Sequence, residues 1–266
     1  MMGLFKKDKE PEMVEREDGL IDYDVYVMSK EEKMFNIAIA AVVIFGIGYM
    51  CYRNIILSAL LAIVAVKWPK MRVKQIIKKR HSELAVQFKD MLYSLSSSLS
   101  AGKSVETGLK ECLQDLRIIY PDDDAYIIQE ISYIVRGVEM NETIEDMFAQ
   151  FADRAHNEDI ENFVDIFRTC KRTGGDMVQV IKTTSQTIGE KIEIKQEIET
   201  MIAGKKFEFK ALMVMPIFLI LMLTYTSPDY MEPVFTTLVG RVVMTIAIVL
   251  FAAAYFVGDK IMKIEV

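Results

Sequence analysis

The residues with the most chemical reach in this chain are few and scattered. Its two histidines are His81 and His156. His81 opens the run His81-Ser82-Glu83-Leu84, a pattern that can offer an imidazole to a phosphoryl group, but the sequence carries no glycine-rich phosphate loop and no nucleotide-binding segment to go with it. His156 stands near Asp153, Glu158 and Asp159. A metal site needs three or four converging donors, and two histidines so far apart are a poor start, so His156 reads as a loop histidine. Three widely separated cysteines make neither a disulfide framework nor a zinc knuckle. Cys112 and Cys170 read as small buried hydrophobes. There is no nucleophile elbow and no zincin helix. The long apolar runs hold no Asp, Glu, Lys, Arg or His in their interiors, where ion-coupled transporters and intramembrane proteases need them. The sequence therefore predicts no catalytic residue, no cofactor, no metal and no enzymatic activity.

What remains is chemistry of contact, and helices must position it. Leu84, Phe88, Met91, Leu92, Leu95 and Leu99 recur at steps of three and four, which places them on one face of a helix. Ser94, Ser96, Ser97, Ser98 and Ser100 lie between them and are small enough to admit a close neighbour. Gly102 ends the helix, because glycine enters the left-handed conformation at little steric cost. Ser104 can cap a second helix with Val105, Leu109, Cys112, Leu113 and Leu116 on its apolar face. The corner is a tight helical hairpin, and neither helix can hide its stripe alone. Four further helices of the same period are predicted, giving six over roughly 71–101, 104–116, 123–138, 142–155, 158–172 and 176–205. Pro121 with Asp122 is expected to start the third, Gly137 to weaken its end, and Asn141 to cap the fourth. Gly174-Gly175 should end the fifth, with Asp176 and Gln179 forming a capping box for the sixth.

Long apolar runs flank this bundle. The chain has 266 residues, of which 52% are hydrophobic, and a mean hydropathy of +0.20, high for a soluble protein. Met34 to Val66 as one helix would be about 50 Å long, too long for a hydrocarbon core of about 30 Å. Arg53 and Asn54 interrupt the run, so a hairpin of two membrane helices is expected, with a re-entrant loop as the other reading. Arg53 and Lys67 would snorkel, with Trp68 at the interface. Lys67, Lys70, Arg72, Lys74, Lys78, Lys79 and Arg80 follow without an acid among them, the charge bias of a cytoplasmic flank. A third apolar run, Ala211 to Ser227, contains Pro216, where a kink is expected. Pro228 to Gly240 reads as a short outer loop, and Val242 to Gly258 as the fourth run.

The expected architecture is an all-α membrane protein, with four transmembrane helices as two hairpins flanking a cytoplasmic six-helix bundle. Residues 1–28 would be a flexible cytoplasmic tail, although Val25, Tyr26 and Val27 could dock. Residues 29–68 would form the first hairpin, 69–206 the bundle, 207–258 the second hairpin and 259–266 a cytoplasmic tail, with both termini inside.

The net charge of −6 argues against nucleic acid as a partner. Between Glu106 and Asp165 there are sixteen acids and only four bases, Lys110, Arg117, Arg136 and Arg154. Such a surface is either a solvated face held off an anionic membrane or a docking face for a basic cytoplasmic partner. The candidate contacts are Asp122, Asp123 and Asp124 together with the corners Gly102-Lys103 and Gly174-Gly175.

Phe88-Lys89-Asp90-Met91-Leu92 through Ser104-Val105-Glu106-Thr107-Gly108-Leu109 resembles the first hairpin of the type II secretion F domain. Thr173-Gly174-Gly175-Asp176-Met177 resembles that family's later glycine corner. Ser227-Pro228-Asp229-Tyr230-Met231 to Thr237, Gly240-Arg241 and the closing Ile264-Glu265-Val266 are similar to the TadB branch, inner-membrane platform proteins of Tad (Flp) pili. The resemblance implies a non-enzymatic base in the bacterial inner membrane on which pilus subunits are assembled or secreted. It implies work alongside a cytoplasmic hexameric secretion ATPase, a paralogous TadC-like platform protein and pilin subunits, within a homo- or hetero-oligomer. Gly108 departs from it, since relatives often carry alanine there, and should loosen the second helix by about 1 kcal/mol. A reading from another class is a membrane-bound signalling or transporter subunit with a helical cytoplasmic domain.

Overall fold

The computed structural model describes residues 20–52, 55–63 and 68–262. Arg53, Asn54, Lys67 and the closing Ile264-Glu265-Val266 lie outside the described residues, as do residues 1–19. The described chain is all-helical. Its order is α1 (Lys30–Tyr52), α2 (Ile55–Ala62), α3 (Trp68–Ser100), α4 (Val105–Ile119), α5 (Tyr126–Glu139), α6 (Ile144–Ala155), α7 (Glu158–Thr173), α8 (Met177–Thr226), α9 (Pro228–Thr236) and α10 (Leu238–Met262). Two compact units result. One gathers residues 20–29 with Arg72–Glu193, and the other Lys30–Met71 with Ile194–Val266.

The first unit is a helical bundle with a continuous apolar core. Leu84, Phe88, Met91, Leu92, Leu95 and Leu99 are all buried, as their spacing requires. Phe88 meets Phe163 edge-on at 5.4 Å between centroids, and Phe148 meets Phe163 the same way at 5.6 Å. Edge contact sets the positive rim of one ring on the negative face of the next, adding to the area each ring buries. The bundle ends at Glu193, earlier than the expected boundary at 206. Along the next stretch of α8, Ile194, Met201 and Phe207 are exposed, so no apolar face continues onto the core.

The serines of α3 do more than make room. Ser94 Oγ donates to Asp115 Oδ2 at 2.6 Å, and Ser98 Oγ to Glu111 Oε2 at 3.1 Å. Tyr120 Oη donates to Asp90 Oδ2 at 2.6 Å. A polar seam thus runs beside the apolar one between α3 and α4. A Cβ built on Gly108 would stand 3.1 Å from Leu95 Cδ1, so here the missing methyl is packing space, and an alanine's helix preference would be set against crowding.

Several helix ends differ from expectation. Ser104 does cap α4, accepting from the Thr107 amide. The cap of α6 is Thr143, which accepts from the Asp146 amide, whereas Asn141 takes the left-handed conformation (φ 69) that closes the preceding corner. Asparagine serves both positions well, so composition could not separate them. Helix α5 starts at Tyr126, not at Pro121-Asp122: Asp122 Oδ1 accepts from the Asp124 amide and the Ala125 amide bonds to the Asp122 carbonyl, which folds those residues into a turn. Gly137 lies in the last turn of α5. It lets Met147 pack against the helix, since a Cβ there would lie 2.5 Å from Met147 Sδ. Asp176 Oδ1 accepts from the Gln179 amide, but the Gln179 side chain turns to Thr183 Oγ1, so only half of the capping box forms.

The largest departure is at the N-terminal side. Within the expected flexible tail, Leu20 to Val27 lies on the bundle, with Leu20, Ile21 and Tyr23 buried. The Tyr23 amide donates to the Arg154 carbonyl at 3.2 Å, and its hydroxyl to Glu130 Oε1 at 3.2 Å. Glu130 and Arg154 form a buried two-pronged pair, Nη2 to Oε2 at 2.6 Å and Nε to Oε1 at 3.3 Å. The Arg154 guanidinium also stands 5.1 Å from the centre of the Tyr133 ring. Burial first, and then the Glu130 charge, raise the Tyr23 phenol well above its ordinary value, so it stays a donor. On each flank a histidine meets an aspartate: His156 Nε2 lies 3.4 Å from Asp22 Oδ1, and His81 Nε2 lies 3.0 Å from Asp24 Oδ1. The strap has no helical period because it packs by anchors, which is why periodicity did not reveal it.

The second unit holds the apolar helices. Among the described residues, three are long and apolar enough to cross a membrane: Lys30–Met50, the apolar part of Met177–Thr226, and Leu238–Ile261. Helix α2 has 8 residues, about 12 Å at 1.5 Å per residue. The expected outer loop is largely α9, which begins with Pro228 at its first position, where the missing N–H costs nothing. Met231, Phe235 and Met244 form a small core with Met50, Ile220, Val234 and Ile248 around it. Phe209 packs where a Cβ on Gly258 would stand, so a larger residue there would have to displace the Phe209 ring. Helix α8 runs through Pro216, which has no N–H to offer the carbonyl four residues earlier.

Removing one member of a buried ion pair strands the other. Arg154→Ala should therefore destabilise the bundle by about 3–5 kcal/mol, whereas Glu130→Leu with Arg154→Met should recover most of the loss. Denaturant unfolding of the detergent-solubilised chain checks both.

Candidate protein-contact surfaces

The residues expected to make contacts fall at opposite ends of the bundle. Gly102 (φ 82) and Gly174 (φ 71) take the left-handed conformation that ends α3 and α7. Gly102, Lys103, Gly174 and Gly175 belong to one end. There Lys103 pairs with Glu111, Lys171 Nζ lies 2.7 Å from Glu145 Oε2, and Lys110 Nζ lies 2.6 Å from Glu139 Oε1. Backbone hydrogen bonding first, then Ser104 and Lys171, hold the Glu106 carboxyl below its ordinary value. The Lys103 hydrogen bond does the same for Glu111. The acids of this end are in good part matched by lysines, which leaves a dipolar surface rather than an unbroken negative one.

Asp122, Asp123 and Asp124 sit at the other end, where α4 gives way to α5 and the strap is seated. They are exposed and line a groove of about 970 Å³ with Leu20 and Ile21 of the strap. A second groove of about 700 Å³ follows the α7–α8 corner and includes Gly175, Ile166 and Val180. A Cβ on Gly175 would lie 2.9 Å from Cys170 Sγ, so this glycine permits the corner to close.

Helical spacing already hinted at the residues that expectation missed. Glu130 falls three after Ile127 and four before Ile134, and Arg154 falls three after Phe151, both on buried faces. An acid and a base each set in an apolar register is a signal for a buried pair.

Among the described residues there is no group of three or more His, Cys, Asp or Glu side chains placed to hold a metal ion. Cys112 and Cys170 are free and buried. Burial pushes the Cys112 thiol up to about 12, and it donates to the Met91 carbonyl at 3.4 Å.

An all-helical protein with membrane-length helices and a separate bundle of charged, grooved surface is the class this geometry defines. The family model for the type II secretion system (T2SS), protein F, matches residues 83–224, more than half of the chain. The chain belongs to that family, whose members are membrane platform proteins rather than enzymes. No curated protein and no solved structure matches the chain.

A thiol is nucleophilic only as thiolate. At pH 8 Cys112 should resist a maleimide in the folded chain and react within minutes once the bundle is unfolded; mass spectrometry of the tryptic fragment distinguishes the two.

Proposed function

We propose that this protein is the inner-membrane platform of a Tad/Flp-type pilus or a related secretion machine, joining a cytoplasmic ATPase to the movement of pilin subunits. The observation that carries the reading is the family match, which spans the bundle from within α3 to the apolar end of α8. Proteins of this family work with a secretion ATPase and with other platform proteins. The Tad assignment rests on the C-terminal likeness from Ser227 to Arg241. A TadC-like paralogue, pilin subunits and the lipid bilayer complete the partner set.

We further propose four crossings with both termini in the cytoplasm. Residues 20–29 and Arg72–Glu193 form one unit, so the chain that leaves at Ser29 returns to the same side by Arg72. Helix α1, at 23 residues, is about 35 Å long and long enough to cross. An even number of passes then requires the second apolar run, which begins at Ile55, to make the return. The short α2 favours a second reading, in which the return is re-entrant.

In the mechanism, motor motion enters the bundle and passes along α8, which is one helix from Met177 through Gly204 to the apolar segment containing Pro216. Close-packed helices carry displacement with little loss. The Asp122-Asp123-Asp124 loop and the two glycine corners are the proposed contact points for the partners.

Two experiments test this reading. Charge reversal at Asp122, Asp123 and Asp124 together should weaken capture of the cytoplasmic ATPase by the full chain, and unchanged capture removes that loop from the interface. A glycine run across Ala203 to Lys205 should abolish piliation while leaving the protein in the membrane. Normal piliation would contradict transmission through α8.

A further inference from the structure

The groove beside the aspartate loop has a second chemistry. Arg80, Arg117 and Arg136 also line it. Arg80 is only 6% exposed, yet no carboxylate lies within ion-pair distance of it among the described residues. Its contacts are a long hydrogen bond from Nη1 to the Val25 carbonyl, 3.5 Å, and the face of the Tyr26 ring at 4.8 Å. Neither supplies a negative charge. Arg136 donates from Nε to the Ser132 carbonyl at 3.2 Å and likewise has no acid partner among the described residues. Arg117 has only the exposed Asp123, at 4.0 Å. Elsewhere in the bundle the buried arginine is fully matched, as Arg154 is by Glu130.

A guanidinium that is mostly buried without a counter-charge has lost part of its water and has nothing charged in its place, so an anion reaching it is well received. No sealed side-chain nitrogen or oxygen lacks a partner among the described residues, so the remaining guanidinium donors open onto the groove. An anion arriving there would meet a fork of donors already held in place by Val25 and Tyr26, and carboxylates accept such forks well. The rim sets the rest of the specificity. Glu83, Asp122, Asp123 and Asp124 share the lining, which disfavours a dense anion such as a phosphate and favours a carboxylate flanked by positive charge.

We propose that this groove receives an acidic side chain of a cytoplasmic protein segment, with Arg80 and Arg136 binding the carboxylate and Asp122–Asp124 binding basic residues on either side of it. This rests on the reading of the chain as a protein-contacting platform and names the chemistry of the segment that docks.

The test uses the full chain in detergent and a fluorescent peptide with one glutamate between lysines, beside twins carrying glutamine or phosphoserine at the centre. Anisotropy should report tighter binding of the glutamate peptide than of either twin. Arg136→Gln, at an exposed position, should weaken it by up to about fivefold. Arg80→Gln should weaken it by about thirtyfold or more. Amide exchange at Tyr23 reports whether the strap stays seated in each variant, so that loss of binding is assigned to charge and not to unfolding. Equal binding of glutamate and glutamine peptides would overturn the proposal, as would unchanged affinity in both arginine variants. Preference for phosphoserine, or displacement by anionic lipid vesicles, would overturn it in favour of a phosphate or membrane contact. If the peptide result fails while the ATPase is still captured, the groove assignment falls and the platform reading stands.

Discussion

The Glu130–Arg154 pair is the constraint on which the bundle's arrangement rests. Two charges placed among apolar side chains are tolerable only where each satisfies the other with good geometry. Here the guanidinium meets the carboxylate with two nitrogens, and the Tyr23 hydroxyl supplies a further donor to Oε1. Three pieces of chain are thereby fixed to one another: α5 through Glu130, α6 through Arg154, and the strap through Tyr23. A purely apolar contact could slide by a turn at small loss. This one cannot, because any shift exposes an unmatched charge to a poor solvent. The family model matches residues 83–224, so the strap lies outside the matched stretch and is joined to a pair of residues inside it.

That attachment has a consequence for how the chain meets the bilayer. The strap leads directly into α1 at Lys30, and α3 rejoins the bundle at Arg72. Both ends of the first apolar stretch are therefore tied to the same body, which is what the proposed first hairpin provides. The two units also solve packing by different means. In the bundle, serines and acids stitch α3 to α4 beside a phenylalanine-rich core. In the apolar unit, glycine and aromatic contacts such as Gly258 with Phe209 join helices, beside the bond from Arg241 Nε to the Phe235 carbonyl.

Much of this was legible from spacing alone. The six bundle helices follow from apolar residues at steps of three and four, and Gly102, Ser104 and Gly174 take the roles their chemistry suits. What stayed hidden has identifiable causes. Asparagine and threonine compete for the same corner, so the α6 cap moved from Asn141 to Thr143. Tyr23 acts through one anchor in an extended segment, which leaves no period to detect. Glu130 and Arg154 stood in the apolar register, but charge counting treated every ionisable side chain as surface. Of the candidate contact residues, the helix-end positions of Gly102 and Gly174 were readable. Their division between two ends of the bundle was not, because that depends on the antiparallel order of α3 to α8.

The seating of the N-terminal strap on the bundle is the claim from which the membrane arrangement follows, and side-specific labelling tests it most directly. Val27 and Glu139 are both exposed and both belong to the strap-and-bundle unit. In spheroplasts, with Cys51 first changed to serine, a membrane-impermeant maleimide should spare both Val27→Cys and Glu139→Cys, and label both once the membrane is opened. Labelling of Val27→Cys from outside, with Glu139→Cys still protected, would place the two on opposite sides of the bilayer and contradict the account.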